Sequence, residues 1–316
     1  MRGWTMFSAH LWCRIGMVRE GKMVRAIKIV TVSLLLLAGA LSGIASAETV
    51  LHTERSLYRN IIVSENFGTR CIRFSRQNNT QQSCFSLSNP DTILFECNKM
   101  MLGALYLRPN PRRVLMIGLG GGILASAVSR ILPDAEIDVV EIDPAIVRVA
   151  KDYFHFQPGP KVRVTVKDGR VFVKRALDKG EKYDLILLDA FGEVYIPTHL
   201  MTAQFLNEVK EILAPDGVLA ANTYCVGGRY DNESVTYESV YGTFFNLKKY
   251  WNNTRVIIAK QDGVLPPHDV LVRNSKALEK KFLQLGVETS WLMQLFSTEK
   301  DWDENARVLT DLFVPF

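Results

Sequence analysis

The groups in this chain that could do chemistry sit at the ends of apolar runs. In "RVLMIGLGGG", Gly118, Gly120 and Gly122 alternate directly after a strand-like stretch. Glycines there permit a tight turn and close backbone approach to a ligand at a helix amino terminus. The dinucleotide-binding pattern needs its third glycine where Ile123 stands, which argues against a nicotinamide site. Alternating G-x-G-x-G is instead the spacing used around S-adenosyl sulfonium nucleosides. Glu141 ends "DVVE", where a carboxylate can accept hydrogen bonds from both ribose hydroxyls. Asp168, followed by Gly169 in "KDGR", can accept from an adenine amino group or cap the helix that begins at Gly169. Asp143 reads as the cap before Pro144. Asp189 ends "YDLILLDA", with an aromatic and a glycine just beyond it, and is the candidate catalytic carboxylate.

The elements that must hold these groups follow from periodicity. From Arg113 onward the pattern alternates between strands and helices. "RVLMIGL", "EIDVVEID", "VRVTVKD", "YDLILLDA", "GVLAANT" and "TRVIIAK" read as strands, and "DVLVRN" is a candidate seventh. Between them "GGILASAVSRIL", "PAIVRVAKDYF", "GRVFVKRAL", "THLMTAQFLNEVKEIL" and "SVTYESVYGTFFNLKKYW" read as helices. Near-continuous apolar strands alternating with helices imply an α/β fold built on a parallel, doubly wound sheet. In such sheets ligands bind beyond the carboxyl ends of the strands, which puts the glycines, Glu141, Asp168 and Asp189 on one rim. Ahead of this region "NIIVSEN", "TRCIRFSR" and "SCFSLSN" read as short antiparallel strands, and "DTILFECNKMMLGALYL" as helical. The expected division is residues 48–100 as a small β-rich domain and 101–316 as a Rossmann-like domain.

Composition sets outer bounds. The chain has 316 residues, 47% of them apolar, enough for a sizeable core. Residues 1–47 carry Arg25 and Lys28, the apolar run "IVTVSLLLLAGALSG" and "ASA" before Glu48, the layout of a secretory signal cut after Ala47. The run is shorter than the roughly 20 residues of a spanning helix, so no membrane span is expected after cleavage. An uncleaved amino-terminal anchor is the alternative, and Met23 is a second candidate start. Residues 1–47 hold six of the 38 basic residues and one of the 33 acidic ones, so the remainder carries 32 of each. That balance gives no nucleic-acid footprint. The expected location is therefore periplasmic or secreted. Four cysteines remain after cleavage, an even number suited to an oxidising compartment. Cys71 and Cys84 flank a hairpin turning near Asn78–Asn79 and could pair across it, leaving Cys97 with Cys225; four reduced thiols are the alternative. No cysteine spacing matches a zinc site, and the five histidines are scattered.

From about Tyr58 to the carboxyl terminus the chain resembles the spermidine synthase (polyamine aminopropyltransferase) family. The resemblance rests on "NPRRVLMIGLGGG", "VVEIDPAIV", "KDGRVFV", "YDLILLDA", "HLMTAQF", "LAPDGVL" and "RVLTDLFVP". It implies a class I S-adenosylmethionine-dependent methyltransferase-like domain behind a small antiparallel β domain. Decarboxylated S-adenosylmethionine, or S-adenosylmethionine, would be the co-substrate, held by Gly118, Gly120, Gly122, Glu141, Asp168 and Gly169. Asp189 would match the family's catalytic aspartate, and a small amine or a nucleoside would be the partner, with a homodimer left open. Two departures stand out. The family's Asp, two residues, then Asp-Pro here ends in Gly192 with Glu193 beside it, so Glu193 is a candidate replacement carboxylate. Where the family shows Tyr, His or Gln, and Glu before a methionine, this chain has Cys97, Asn98 and Lys99 before Met100. Asn98 is thus a candidate on the acceptor side, and Lys99 there repels a cationic polyamine. The expected activity is aminopropyl transfer to an amine. An exported non-catalytic binding protein and a methyltransferase are the alternatives.

Overall fold

Two sheets carry the architecture. The structure, a computed structural model, describes residues 48–75, 80–192, 195–224 and 227–314. The expected export segment, the turn near Asn78–Asn79, Glu193 and Cys225 lie outside these residues. The first sheet is antiparallel: β1 (Thr49–Arg55), β2 (Asn60–Asn66), β3 (Thr69–Arg73) and β4 (Gln81–Ser86) pair in chain order. The sequence reading has only the last three. β1 is mostly exposed, so it lacks the alternation that marks a half-buried strand. Cys71 stands directly opposite Cys84, and a disulfide joins them with Cα atoms 4.2 Å apart. By closing a loop at a separation of 13 residues it contributes about 3 kcal/mol. Cys97 carries a free thiol.

Helices α1 (Glu96–Met101) and α2 (Ala104–Leu107) lead into the second sheet. There β5 (Arg113–Ile117), α3 (Ile123–Ile131), β6 (Glu136–Glu141), α4 (Pro144–Tyr153), β7 (Val162–Val166) and α5 (Gly169–Asp178) alternate. β8 (Tyr183–Leu188), α6 (Ala203–Ile212), β9 (Leu213–Tyr224), α7 (Tyr230–Tyr241), β10 (Phe245–Lys249) and β11 (Thr254–Lys260) follow. Two helices close the chain, α8 (His268–Leu283) and α9 (Thr289–Gln294). The strand order is β10-β11-β9-β8-β5-β6-β7.

Neighbours from β9 through β7 are parallel, as the sequence implies, whereas β11 runs antiparallel to β9 and β10 antiparallel to β11. The all-parallel expectation is therefore corrected at one edge. Gly242, at a φ of +71°, ends α7, and "FNLKK" after it forms β10 rather than continuing a helix. Asn253, at a φ of +55°, turns that strand into β11. "DVLVRN" is helix, not strand. It opens α8 behind Pro267, and the buried Leu271, Ser275, Leu278 and Phe282 recur at helical spacing.

Alternate residues of the central strands feed two cores. Val114, Met116, Leu185 and Leu187 pack on one face; Leu115, Ile117, Ile186 and Leu188 pack on the other. Each such side chain contributes about 1.5–3 kcal/mol. Burial on both faces explains why these strands read as continuous apolar runs, and it fixes the height of every strand end. Among the described residues no helix is long and apolar enough to cross a membrane.

Candidate active site

A cavity of about 670 Å³ opens at the carboxyl ends of β5 through β9. That volume lies within the roughly 300–1,000 Å³ usual for small-ligand clefts. Gly118, Gly120, Glu141, Asp168, Gly169, Asp189 and Asn98 all line it, and Gly122 does not. The glycines divide by cause. Gly118 has a φ of +105°, and a Cβ on it would lie 2.2 Å from the Asp189 carbonyl oxygen. Its first task is to let β5 and β8 close together, which sets Asp189 in place. A Cβ on Gly122 would lie 2.5 Å from the Phe156 ring, and one on Gly169 2.6 Å from Ile117. Gly120 has more room, with Ser83 at 3.5 Å as its nearest neighbour, and presents backbone to the cavity.

Glu141 is buried at the end of β6. Its Oε2 accepts from the Leu119 amide at 3.1 Å and its Oε1 from the Asp143 amide at 3.0 Å. Burial pushes its carboxyl above the ordinary range, while the Asp143 amide and the Arg59 charge act against that. Asp143 is the helix cap expected of it, accepting from the Ala145 amide at 2.9 Å. Asp168 also caps its helix, through Val171 N–H at 2.9 Å, yet it lines the cavity as well. Its Oδ2 pairs with His199 Nε2 at 2.9 Å. Burial raises the Asp168 carboxyl, but the Val171 amide and His199 together hold it below its ordinary value.

Asp189 lies one residue past β8, between those groups and a second half of the cavity. Its amide donates to the Ile117 carbonyl at 2.8 Å, and Asn222 Nδ2 donates to its Oδ1 at 2.8 Å. Burial pushes its carboxyl from 3.8 to about 6; Asn222 acts against this rise and the Glu141 charge adds to it. A carboxylate poised there is ionised at neutral pH and close enough to it to exchange a proton. The second half is lined by α1 residues Glu96, Cys97, Asn98 and Lys99, with Asn222, Tyr224 and Thr254 from β9 and β11. Cys97 Sγ donates to Asn98 Oδ1 at 3.4 Å, and burial followed by the Asp189 charge drives the thiol pKa well up. Cys97 is thus held as a neutral thiol.

Several residues of the site are absent from the sequence reading. Asn222 lies two residues before the end of β9, one strand over from Asp189, so the rule that located Asp189 leads close to it. Arg59 precedes β2, far from any motif; its Nη1 donates to the Phe191 carbonyl at 2.9 Å and its Nε lies 3.9 Å from Asp143 Oδ2. It ties the first sheet to the segment after Asp189. That segment is also held by the Phe191, Tyr195 and Tyr224 rings, with centroids 5.0–6.0 Å apart. Tyr195 Oη donates to the buried Glu233, whose carboxyl burial pushes up to about 7. Among the described residues no cluster of His, Cys, Asp or Glu could hold a metal ion.

A doubly wound sheet with this strand order, preceded by a four-stranded antiparallel sheet, is a class I methyltransferase-like fold of the spermidine synthase type. A family model described as the spermine/spermidine synthase domain matches residues 96–263. The polyamine aminopropyltransferase of Vibrio vulnificus is 41% identical over 269 residues, which cover 84% of this chain and 90% of that one. The polyamine aminopropyltransferase of Chromobacterium violaceum is 29% identical over 236 residues, 73% of this chain and 88% of that one. A spermidine synthase crystallised with the transition-state analogue AdoDATO superposes with a TM-score of 0.65 at 16% identity, covering 79% and 85% of the two chains. The chain belongs to the spermine/spermidine synthase family.

Proposed function

We propose that this protein transfers the aminopropyl group of decarboxylated S-adenosylmethionine to a small primary amine, the reaction type of polyamine biosynthesis. The observation that carries this reading is the position of Asp189, a half-buried carboxylate fixed by Asn222 between two halves of one cavity. Both halves suit their roles. On one side Glu141, its two oxygens oriented by backbone amides, and Asp168 offer carboxylates to a cationic nucleoside and its hydroxyls. On the other, Asn98, Asn222 and Tyr224 surround the space for an acceptor. The family relationship, 41% identity along most of the chain, supports the same reading.

The sulfonium supplies a carbon open to in-line attack and a neutral thioether leaving group. The protein supplies placement and proton handling. Asp189 holds the acceptor's ammonium group, takes its proton and frees the nitrogen lone pair. Confining both substrates in one cavity removes entropy from the barrier, worth on the order of several kcal/mol. Calorimetry with decarboxylated S-adenosylmethionine, S-adenosylmethionine and methylthioadenosine tests the reading. Binding of the decarboxylated form and of methylthioadenosine is expected. If none of the three binds, the proposal fails. Methyl transfer from S-adenosylmethionine with no aminopropyl product would assign the cavity to a methyltransferase instead.

We also propose that residues 1–47 direct export, a reading supported by the Cys71–Cys84 disulfide. Amino-terminal sequencing of extracytoplasmic protein should find Glu48 first. A chain retained in the cytoplasm with an intact leader contradicts this.

A further inference from the structure

The charges of the acceptor half do not match a diamine. Helix α1 packs against β9 and β11, on the far side of Asp189 from Glu141 and Asp168. It brings two charged side chains to the cavity, Glu96 and Lys99. Glu96 is already neutralised: its Oε1 lies 3.1 Å from Lys249 Nζ. Lys249 in turn sits over the Trp251 and Trp291 rings at 5.4 and 5.3 Å. Lys99 is half-buried, and no carboxylate among the described residues lies within 4.0 Å of its ammonium group. Burial lowers its pKa, and Glu96 and Glu288 oppose this from longer range. The other cations of the lining belong elsewhere. Arg59 is engaged with the Phe191 carbonyl and Asp143, and Lys167 stands beside Asp168 at the far end. Among the described residues, one carboxylate, Asp189, and one ammonium with no carboxylate partner, Lys99, therefore face the acceptor. A diamine protonated at both ends would set its distal ammonium against Lys99, a like-charge contact that disfavours binding.

We propose that the acceptor is an amine bearing its own carboxylate, of the amino acid or ω-amino acid class, with Lys99 pairing that carboxylate and Asp189 its amine. The inference rests on the aminopropyltransferase reading above and names its substrate class. In the step, the acceptor nitrogen forms a bond to the aminopropyl carbon as the carbon–sulfur bond breaks. The sulfur keeps that electron pair, and methylthioadenosine departs neutral. The proton lost by nitrogen passes to Asp189 and then to water. The product is an N-(3-aminopropyl) amino acid.

The test holds chain length constant and varies only the distal group. 4-Aminobutanoate, butylamine and putrescine are titrated calorimetrically into the full chain saturated with methylthioadenosine, and the comparison is repeated with the three- and five-carbon series. Methylthioadenosine release from decarboxylated S-adenosylmethionine is followed with each acceptor. The zwitterion should bind at least about tenfold more tightly than the diamine, with the monoamine between. Lys99→Glu should invert that order and Lys99→Gln should flatten it, with circular dichroism confirming both folds. The inference is overturned if the diamine binds or reacts best, if no acceptor of any length binds, or if Lys99→Glu leaves the order unchanged. Turnover with putrescine alone would leave the aminopropyltransferase reading standing, whereas failure to bind methylthioadenosine would remove that reading itself.

Discussion

Asp189→Asn should make this protein more stable and far less active. The exchange keeps the shape of the side chain and the Oδ1 acceptor that receives Asn222 Nδ2 at 2.8 Å, and it removes the charge. The folded structure moves the Asp189 carboxyl from 3.8 to about 6, with burial as the first cause. A carboxyl whose folded pKa is raised favours the fold fully below its unfolded pKa. That advantage is lost as pH rises through the folded pKa, here between about 4 and 6. At pH 7.5 the ionised group costs the fold about 3 kcal/mol, and access of water to the cavity reduces this to about 2. Removing the charge should raise Tm at pH 7.5 by about 4–8 °C. At pH 4, where the carboxyl is protonated in the fold, the gap should nearly vanish. Turnover should fall by about 10²–10⁴-fold, because no base remains to take the acceptor's proton. Differential scanning fluorimetry from pH 4 to 8 and chromatographic detection of methylthioadenosine read both effects. A Tm change that is the same at pH 4 and 7.5, a lower Tm at pH 7.5, or unchanged turnover would contradict this prediction.

Three further outcomes are expected. The pH profile of kcat/KM should lose about tenfold per pH unit below about 6 as Asp189 takes up its proton, and a profile flat to pH 5 would assign the base elsewhere. Glu141→Gln should weaken methylthioadenosine about 10–100-fold by calorimetry, since one oxygen can no longer accept both a backbone amide and a ribose hydroxyl as an anion. Gly118→Ala should cost at least about 2 kcal/mol, lowering Tm by 4 °C or more: its φ is +105° and the new Cβ would meet the Asp189 carbonyl oxygen at 2.2 Å.

Strand ends were the legible part of the site. Glu141 and Asp189 each close a run buried on both faces, and Asp168 follows the partly exposed edge strand β7, so strand ends in the sequence mark where backbone stops and ligand space starts. The same reasoning, carried one strand further, leads close to Asn222. Arg59 gives no such signal, because its partners Phe191 and Asp143 are distant in sequence and only the packing of the first sheet brings them near. The glycine run was legible as a turn but ambiguous in purpose. Gly118 and Gly122 answer first to the Asp189 backbone and the Phe156 ring, contacts that spacing alone does not reveal. The edge of the large sheet failed for a different reason. "DVLVRN" is rich in β-branched residues over six positions, and only the longer recurrence to Phe282 shows its helical period. Lys99 departs from the family pattern in the sequence alone, but its effect on the cavity depends on the pairing of Glu96 with Lys249, which only the fold brings about.

The central claim, that Asp189 serves aminopropyl transfer between the two halves of this cavity, is tested most directly by product stoichiometry. Purified protein is incubated with decarboxylated S-adenosylmethionine and a panel of diamines, monoamines and amino acids, and mass spectrometry quantifies methylthioadenosine and the extended acceptor together. The two products should appear in equal amounts with the wild-type chain, and both should fall together by about 10²–10⁴-fold with Asp189→Asn. Methylthioadenosine without any aminopropylated acceptor, or no product from a protein that binds the nucleoside, would contradict the account.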